Sequence, residues 1–294
     1  MGDEQFQKHL EIVRDVIKDY GLEPLGIATV DYEDNTPFQY NNFIYNDCVS
    51  TLIMRLANPR AQGVFHETRV ENEVAAMHLD RQGLLSSVKP DAAALVPALY
   101  DWQSSNNSPS GFGWSLMEFK EGVPLDTLFW DMLIGDKKEV LGQIVNGIQC
   151  HGDMTIDGEG SIVSDQMTTL KGGPWESYSA FWKARMALRV DDASASPALD
   201  GWKPNGVRER VDKFLAVGLR NFLDESGVDV GRRILIHEDL TTNNMLYDPG
   251  TKKLTSVLDF DWAFAPHPCN DDGRLGKAMM TGNCDIPDLP EAAA

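Results

Sequence analysis

Phe6, Leu10, Val13 and Ile17 recur at three- to four-residue spacing and line one stripe of a helix over residues 4–20, with Gly21 as its stop. From Gly26 to Leu56 the period shortens to that of strands. Ile27-Ala28-Thr29-Val30, Phe43-Ile44-Tyr45 and Leu52-Ile53-Met54-Arg55-Leu56 read as three strands, the first two separated by a polar loop. A helix over about 67–80 follows, then a strand at Leu95–Tyr100, a Ser/Asn/Gly loop over 102–113 and a short strand at Trp114–Phe119. Beyond it the pattern is mainly helical, roughly 138–150, 174–189 and 205–224, with a polar stretch at 191–206. Near the end, the apolar run Ile234-Leu235-Ile236 leads into a polar loop. Met245-Leu246-Tyr247, the turn Asp248-Pro249-Gly250 and Leu254 to Leu258 then form a hairpin. No repeat is visible. The pattern predicts an α+β chain with a small β-rich lobe over 1–118, a connector near 117–122, a helical lobe over 119–285 and a disordered tail over 286–294.

Composition narrows the functional classes. The chain has 294 residues, 42% of them hydrophobic, and 26 basic against 45 acidic side chains give a formal charge of −19. No basic surface exists to neutralise phosphates of DNA or RNA, so nucleic acid is excluded as a partner. No run approaches the length of a membrane span, the acidic start has no apolar core of a secretory signal, and Phe6 stands where a myristoylation signal needs Ser or Thr. Cys48, Cys150, Cys269 and Cys284 have neither disulfide-framework nor zinc spacing. A reducing, cytoplasmic setting is the expectation.

The chemistry concentrates near the end of the chain. His237-Glu238-Asp239 is followed by Asn244, and Val257-Leu258-Asp259-Phe260-Asp261 closes the hairpin twenty residues after Asp239. Phosphoryl transfer asks for a carboxylate that orients the attacking hydroxyl and accepts its proton, and for cations that neutralise the developing charge. Asp239 suits the first task. Asn244 and Asp259 suit magnesium, which takes hard oxygen ligands, and the hairpin returns Asp259 close to Asn244. Asp261 is open between touching a second metal and hydrogen-bonding the loop backbone. His237 is expected to organise the loop, since no second histidine or cysteine stands at ligand spacing.

These residues resemble the aminoglycoside phosphotransferase/choline-kinase family, whose catalytic loop usually reads His-Gly-Asp-Leu-x-x-x-Asn followed by Ile-Asp-Phe-Asp. Tyr40-Asn41-Asn42-Phe43, Met54-Arg55-Leu56-Ala57-Asn58-Pro59 and Glu71-Asn72-Glu73-Val74-Ala75-Ala76 look like fungal members of it. The resemblance covers about 20–270 and implies a bilobal protein-kinase-like fold, ATP as phosphoryl donor and Mg²⁺. It implies that Arg55 stands where kinases carry a lysine that reaches the phosphates. Glu73 is then its helix partner, favoured over Glu71 by lying nearer the apolar stripe of Val70, Val74 and Met77. By analogy the connector at Met117, Glu118 and Phe119 receives adenine. The segment 35–42 would cover the phosphates, with Asn41 and Asn42 as left-handed substitutes for glycine. Two departures stand out. Glu238 replaces the common glycine, and the nucleotide loop has no glycine at all.

Peptide kinases need a long segment ending in Ala-Pro-Glu to hold their substrate. Here Ala265-Pro266-His267 follows within six residues of Asp261, so a small hydroxylated metabolite is the expected acceptor and a peptide is not. Seven acids against two bases between Asp259 and Ala294 lean toward an amine-containing one. Little helical periodicity follows Asp261 except over about 271–280, which predicts a C-terminally shortened helical lobe with an open acceptor site. A non-catalytic, nucleotide-binding scaffold is the alternative, supported by Arg55, Glu238 and the missing glycine loop.

Overall fold

A computed structural model describes residues 3–20, 26–29, 41–46, 51–57, 68–86, 90–152, 178–197, 206–226, 235–237 and 239–263. Helix α1 (Asp3–Asp19) precedes strands β1 (Gly26–Thr29), β2 (Asn41–Asn46) and β3 (Thr51–Leu56), then helix α2 (Arg69–Ser86). Strands β4 (Leu99–Gln103) and β5 (Trp114–Glu118) complete an antiparallel five-stranded sheet in the order β1-β2-β3-β5-β4.

Strand alternation decides what this sheet carries. Successive side chains of β3 point to opposite faces. Leu52, Met54 and Leu56 pack with Leu10, Val13 and Ile17 of α1, joined by Trp114 and Leu116 of β5. Ile53 packs toward the other face, with Met117 and with Ala76, Met77 and Leu84 of α2. Arg55 shares that second face by period two. The sheet is therefore sandwiched between two helices, and α2 is buried on most sides, including at Arg69, Asn72, Glu73 and Asp80.

The core around α2 continues into the rest of the chain. Met117, Leu235, Val257, Phe260 and Ala263 belong to the same apolar cluster, so α2 bridges the sheet and the segment that ends β8 (Lys253–Val257). After β5 the chain makes β6 (Val123–Pro124), which joins β7 (Met245–Asp248) and β8 in a three-stranded antiparallel sheet. Leu125, just before α3 (Asp126–Phe129), Phe129 of α3, and Val140 and Ile144 of α4 (Ile134–Gly152) cover Met245, Tyr247 and Leu254 of that sheet. Helix α5 (Tyr178–Ala195) lies against α7 (Leu219–Ser226), which continues α6 (Val207–Lys213) through a π-helical turn at Phe214–Gly218.

The structure corrects several local readings. Residues Pro90–Leu95 form a 3₁₀ helix, so the strand expected from Leu95 begins at Leu99, after Pro97. The polar stretch at 191–206 starts inside α5, because polar residues on an outer face do not interrupt a helix. The apolar run before the catalytic loop makes a single bridge at Ile236 rather than a strand among the described residues. Residues 35–40, Glu238, the helix expected at 271–280 and the tail at 286–294 lie outside the described residues, as does the question of an open acceptor pocket walled by 264–294.

The connector is closely packed at one point. Gly122 has φ +147°, and a Cβ there would meet Thr255 Oγ1 at 2.7 Å, Leu246 Cβ at 3.0 Å and the Tyr247 amide nitrogen at 3.3 Å. Gly122→Ala therefore combines an unfavourable backbone with a clash against β7 and β8, and should destabilise by about 2 kcal/mol in urea unfolding. A loss below about 0.5 kcal/mol would show that the connector yields without strain.

Candidate active site

The site is assembled from both sheets and α2. Arg55, aimed at α2 by the alternation of β3, forms an ion pair through Nη1 with Oε1 of Glu73, one of the most deeply buried side chains of α2. Its Nη2 donates to Asp259 Oδ1 at 3.0 Å. Arginine's rigid fork allows one side chain to hold two carboxylates at once, which a single ammonium does with less geometric definition. Glu71, the competing acid, is half-buried, and burial pushes its carboxyl up against hydrogen bonds from its own backbone and Ser104.

The loop after His237 is closed by its own polar groups. Asn244 Nδ2 donates both to the Asp239 carbonyl and to Asp239 Oδ2, each at 2.9 Å. The Thr241 amide donates to the Asp239 carbonyl and the Asn244 amide to the Thr241 carbonyl, completing a tight turn over Thr242–Asn244. The Leu258 amide donates to the Asn244 carbonyl at 2.8 Å, so the end of β8 is fastened beside Asn244, as the hairpin requires. His237 Nε2–H donates to the Leu258 carbonyl at 2.9 Å, and its ring lies 4.6 Å from that of Phe260. The histidine thus ties the loop to the hairpin's exit.

Asp259 and Asp261 stand in different environments. Asp259 adopts a left-handed backbone (φ 66°, ψ 63°), and 36% of its side chain is exposed. Asp261 is 4% exposed, and both of its oxygens accept hydrogen bonds from Arg69: Nε at 2.9 and 3.1 Å, Nη2 at 2.7 Å. Neither partner foreseen for Asp261 was an arginine. Arg69 and its neighbour Asn72, which donates to the Ala263 carbonyl at 3.1 Å, were missed by sequence reading. A signal existed: Arg69 lies four residues before Glu73, so it shares a helix face with the acid that turns inward, and an inward arginine demands an anion.

The remaining predicted residues are placed as follows. Asn41 and Asn42 open β2 opposite Leu56 and Arg55, in extended rather than left-handed conformation. Ladder pairing with β3 overrides the turn preference of asparagine there. Met117 is buried in the α2-side core, and Phe119 follows the end of β5 half-buried. Burial pushes the Glu118 carboxyl up, yet hydrogen bonds from Lys120 and the Ala98 amide, with the Lys120 and Arg81 charges, hold it below the usual carboxylate range. Glu118 also donates its own amide to the Ala98 carbonyl at 2.8 Å. Among the described residues, no group of three His, Cys, Asp or Glu side chains could by itself cage a metal ion.

Comparisons with known proteins bear on the family and the fold. A model of the phosphotransferase enzyme family matches residues 40–284. No curated protein matches. Among solved structures, a candidate aminoglycoside phosphotransferase from Ralstonia eutropha JMP134 is 16% identical with a TM-score of 0.54, covering 90% of this chain and 68% of its own. Aminoglycoside phosphotransferase APH(2'')-Ib, with ADP bound, is 14% identical with a TM-score of 0.53, covering 89% and 73%. A thermostable variant of APH(4)-Ia, in ternary complex with AMP-PNP and hygromycin B, is 15% identical with a TM-score of 0.51, covering 87% and 72%. The fold is the bilobal protein-kinase-like one, a five-stranded lobe followed by a mainly helical lobe.

The Arg55–Glu73 contact makes a direct prediction. Glu73→Ala leaves a guanidinium with only 12% of its side chain exposed short of one partner, and should destabilise by about 3 kcal/mol in denaturant unfolding. Glu71→Ala should cost less than half of that. Equal losses for the two variants would contradict the assignment of Glu73 as the acid that holds Arg55.

Proposed function

The chain belongs to the phosphotransferase enzyme family, and we propose that it transfers a phosphoryl group from ATP to a hydroxyl of a small, amine-containing metabolite. The observation that carries this reading is the hydrogen-bonded Asp239–Asn244 pair, fastened beside Asp259 by the Leu258 amide. In it, Asp239 orients the acceptor hydroxyl and accepts its proton as the new bond forms.

The donor set fits magnesium. Asn244 commits Nδ2 to Asp239, so its Oδ1, which receives a long 3.4 Å contact from Asn243, is the atom left for a hard cation. Asp259 adds a charged oxygen on a carboxylate that is a third exposed, whereas Asp261 is enclosed. Two such protein groups suffice, because nucleotide phosphates and water supply the other ligands. Mg²⁺ bound there would neutralise charge on the transferring phosphoryl group.

Arg55, with Nη1 held by Glu73, reaches the phosphates through Nη2, exchanging its contact with Asp259 for phosphate oxygen. Met117 and Phe119 wall the adenine, and the backbone at Glu118 and Phe119 offers it polar groups. Asn41 and Asn42, at the start of β2 opposite Arg55, bring backbone to the phosphates. We place the division between the lobes at 118–119, where β5 ends. The ADP, AMP-PNP and hygromycin B bound by structural neighbours support an adenine nucleotide as donor and a small molecule as acceptor. The net charge of −19 also favours a cationic acceptor. No helix of the described residues is long and apolar enough to cross a membrane, and a cytoplasmic setting belongs to the same reading.

A panel of amine-containing alcohols, assayed for ATP consumption, tests the reaction. Asp239→Asn should lower turnover by at least a hundredfold while magnesium-dependent ATP binding survives. Asp259→Ala should weaken that binding more than Asn244→Ala does, because a charged ligand contributes more Coulomb energy than an amide. Near-wild-type turnover in Asp239→Asn, or equal magnesium effects in the other two variants, would remove these residues from their roles.

A further inference from the structure

The first turns of α2 present three polar side chains on one stripe, at positions related by three and four residues: Arg69, Asn72 and Glu73. Each grips the same short segment after β8. Arg69 holds the Asp261 carboxylate with a bidentate fork, Asn72 donates to the Ala263 carbonyl, and Glu73 fixes the arginine that reaches Asp259. The segment between them is a single 3₁₀ turn, Phe260–Trp262, closed by the Ala263 amide on the Phe260 carbonyl at 3.0 Å.

Asp259 needs such a grip. A non-glycine residue at φ 66° and ψ 63° sits in a sparsely populated region, which costs about 1 kcal/mol and persists only where its surroundings over-determine it. Before Asp259 the restraints are the Leu258 amide on Asn244 and the Leu258 carbonyl on His237. After it, they are the contacts of Asp261 and Ala263 with α2. Burying a guanidinium at 1% exposure beside a carboxylate at 4% brings little net stability compared with an apolar pair of similar size. What the charged pair adds is geometry, because a bidentate fork defines both distance and plane.

We propose that Arg69 is a positioning residue for this enzyme: acting through Asp261, it locks residues 260–263 onto α2 and so, with the bonds of Leu258 to Asn244 and His237, sets the conformation in which Asp259 would hold a metal. Asp261 is then an anchor and not a metal ligand. Because Glu73 stands on the same helix face, one rigid element sets Arg55 and Asp259 together. The claim that this serves metal binding rests on the proposed role of Asp259; the claim that Arg69 holds the segment does not.

The test uses the full-length chain with Arg69→Met and Asp261→Leu combined, an apolar replacement that removes both charges of the pair together. Two readouts are taken: amide hydrogen exchange at Leu258 and Ala263, and affinity for ATP with and without Mg²⁺. The expected result is an unfolding midpoint near wild type, exchange at both amides at least tenfold faster, and magnesium-dependent affinity at least tenfold weaker. Magnesium-free affinity should change less than twofold. Wild-type exchange at both amides in the doubly substituted chain would overturn the proposal. If that chain does not fold, Arg69→Lys, which keeps the charge and loses the fork, replaces it; faster exchange at the same amides is expected, and unchanged exchange overturns the idea equally. Wild-type protein that shows no magnesium-dependent ATP binding would instead sink the proposed function. Exchange at Leu258 and Ala263 would then decide the role of Arg69 alone.

Discussion

Two guanidinium groups from the amino-terminal lobe hold two carboxylates from one short turn near the end of the chain. Arg55 reaches Asp259 across 204 residues of sequence, and Arg69 reaches Asp261 across 192. Arg69 and Asp261 are buried, so leaving either charge alone would be costly, and the partly buried Arg55 is held by the buried Glu73. The shared apolar core of Met77, Leu84, Met117, Val257 and Phe260 brings the two regions together, and the ion pairs define how they sit. Among the described residues, the arrangement of Asp239, Asn244 and Asp259 depends on that junction at one end and on the hairpin at the other.

One side of this junction, the Arg55–Glu73 pair, was legible in the chain. The alternation of Leu52 to Leu56 assigns Arg55 to one face of its strand, and the position of Glu73 beside Val70, Val74 and Met77 turns an acid inward on the neighbouring helix. The two faces follow from the two periods of secondary structure, and the pairing of Arg55 with a helix glutamate came from the resemblance. The turn residues Asp248-Pro249-Gly250 between apolar runs specified the hairpin, and β7 and β8 form around it. The resemblance of the loop to a known family then supplied the roles that periodicity does not contain.

What was not legible has physical reasons. The two-residue strand β6 carries no periodicity, and it exists because the edge of β7 offers unpaired backbone groups to Val123 and Pro124. Asn41 and Asn42 read as turn formers in isolation, yet the β3 ladder draws them into a strand. The spacing of Arg69 to Glu73 marks it as an inward cation, but the acid it meets lies 192 residues away, and only the folded chain brings Asp261 to it.

The central claim is that Asp259 and Asn244, held by this junction, form a magnesium-dependent nucleotide site. Calorimetric titration of the wild-type chain with ATP, in the presence and absence of Mg²⁺, tests it most directly. The account predicts binding that strengthens at least tenfold with Mg²⁺, since the metal joins two protein oxygens to the phosphates. ATP that binds equally well with and without the metal, or does not bind at all, would contradict it.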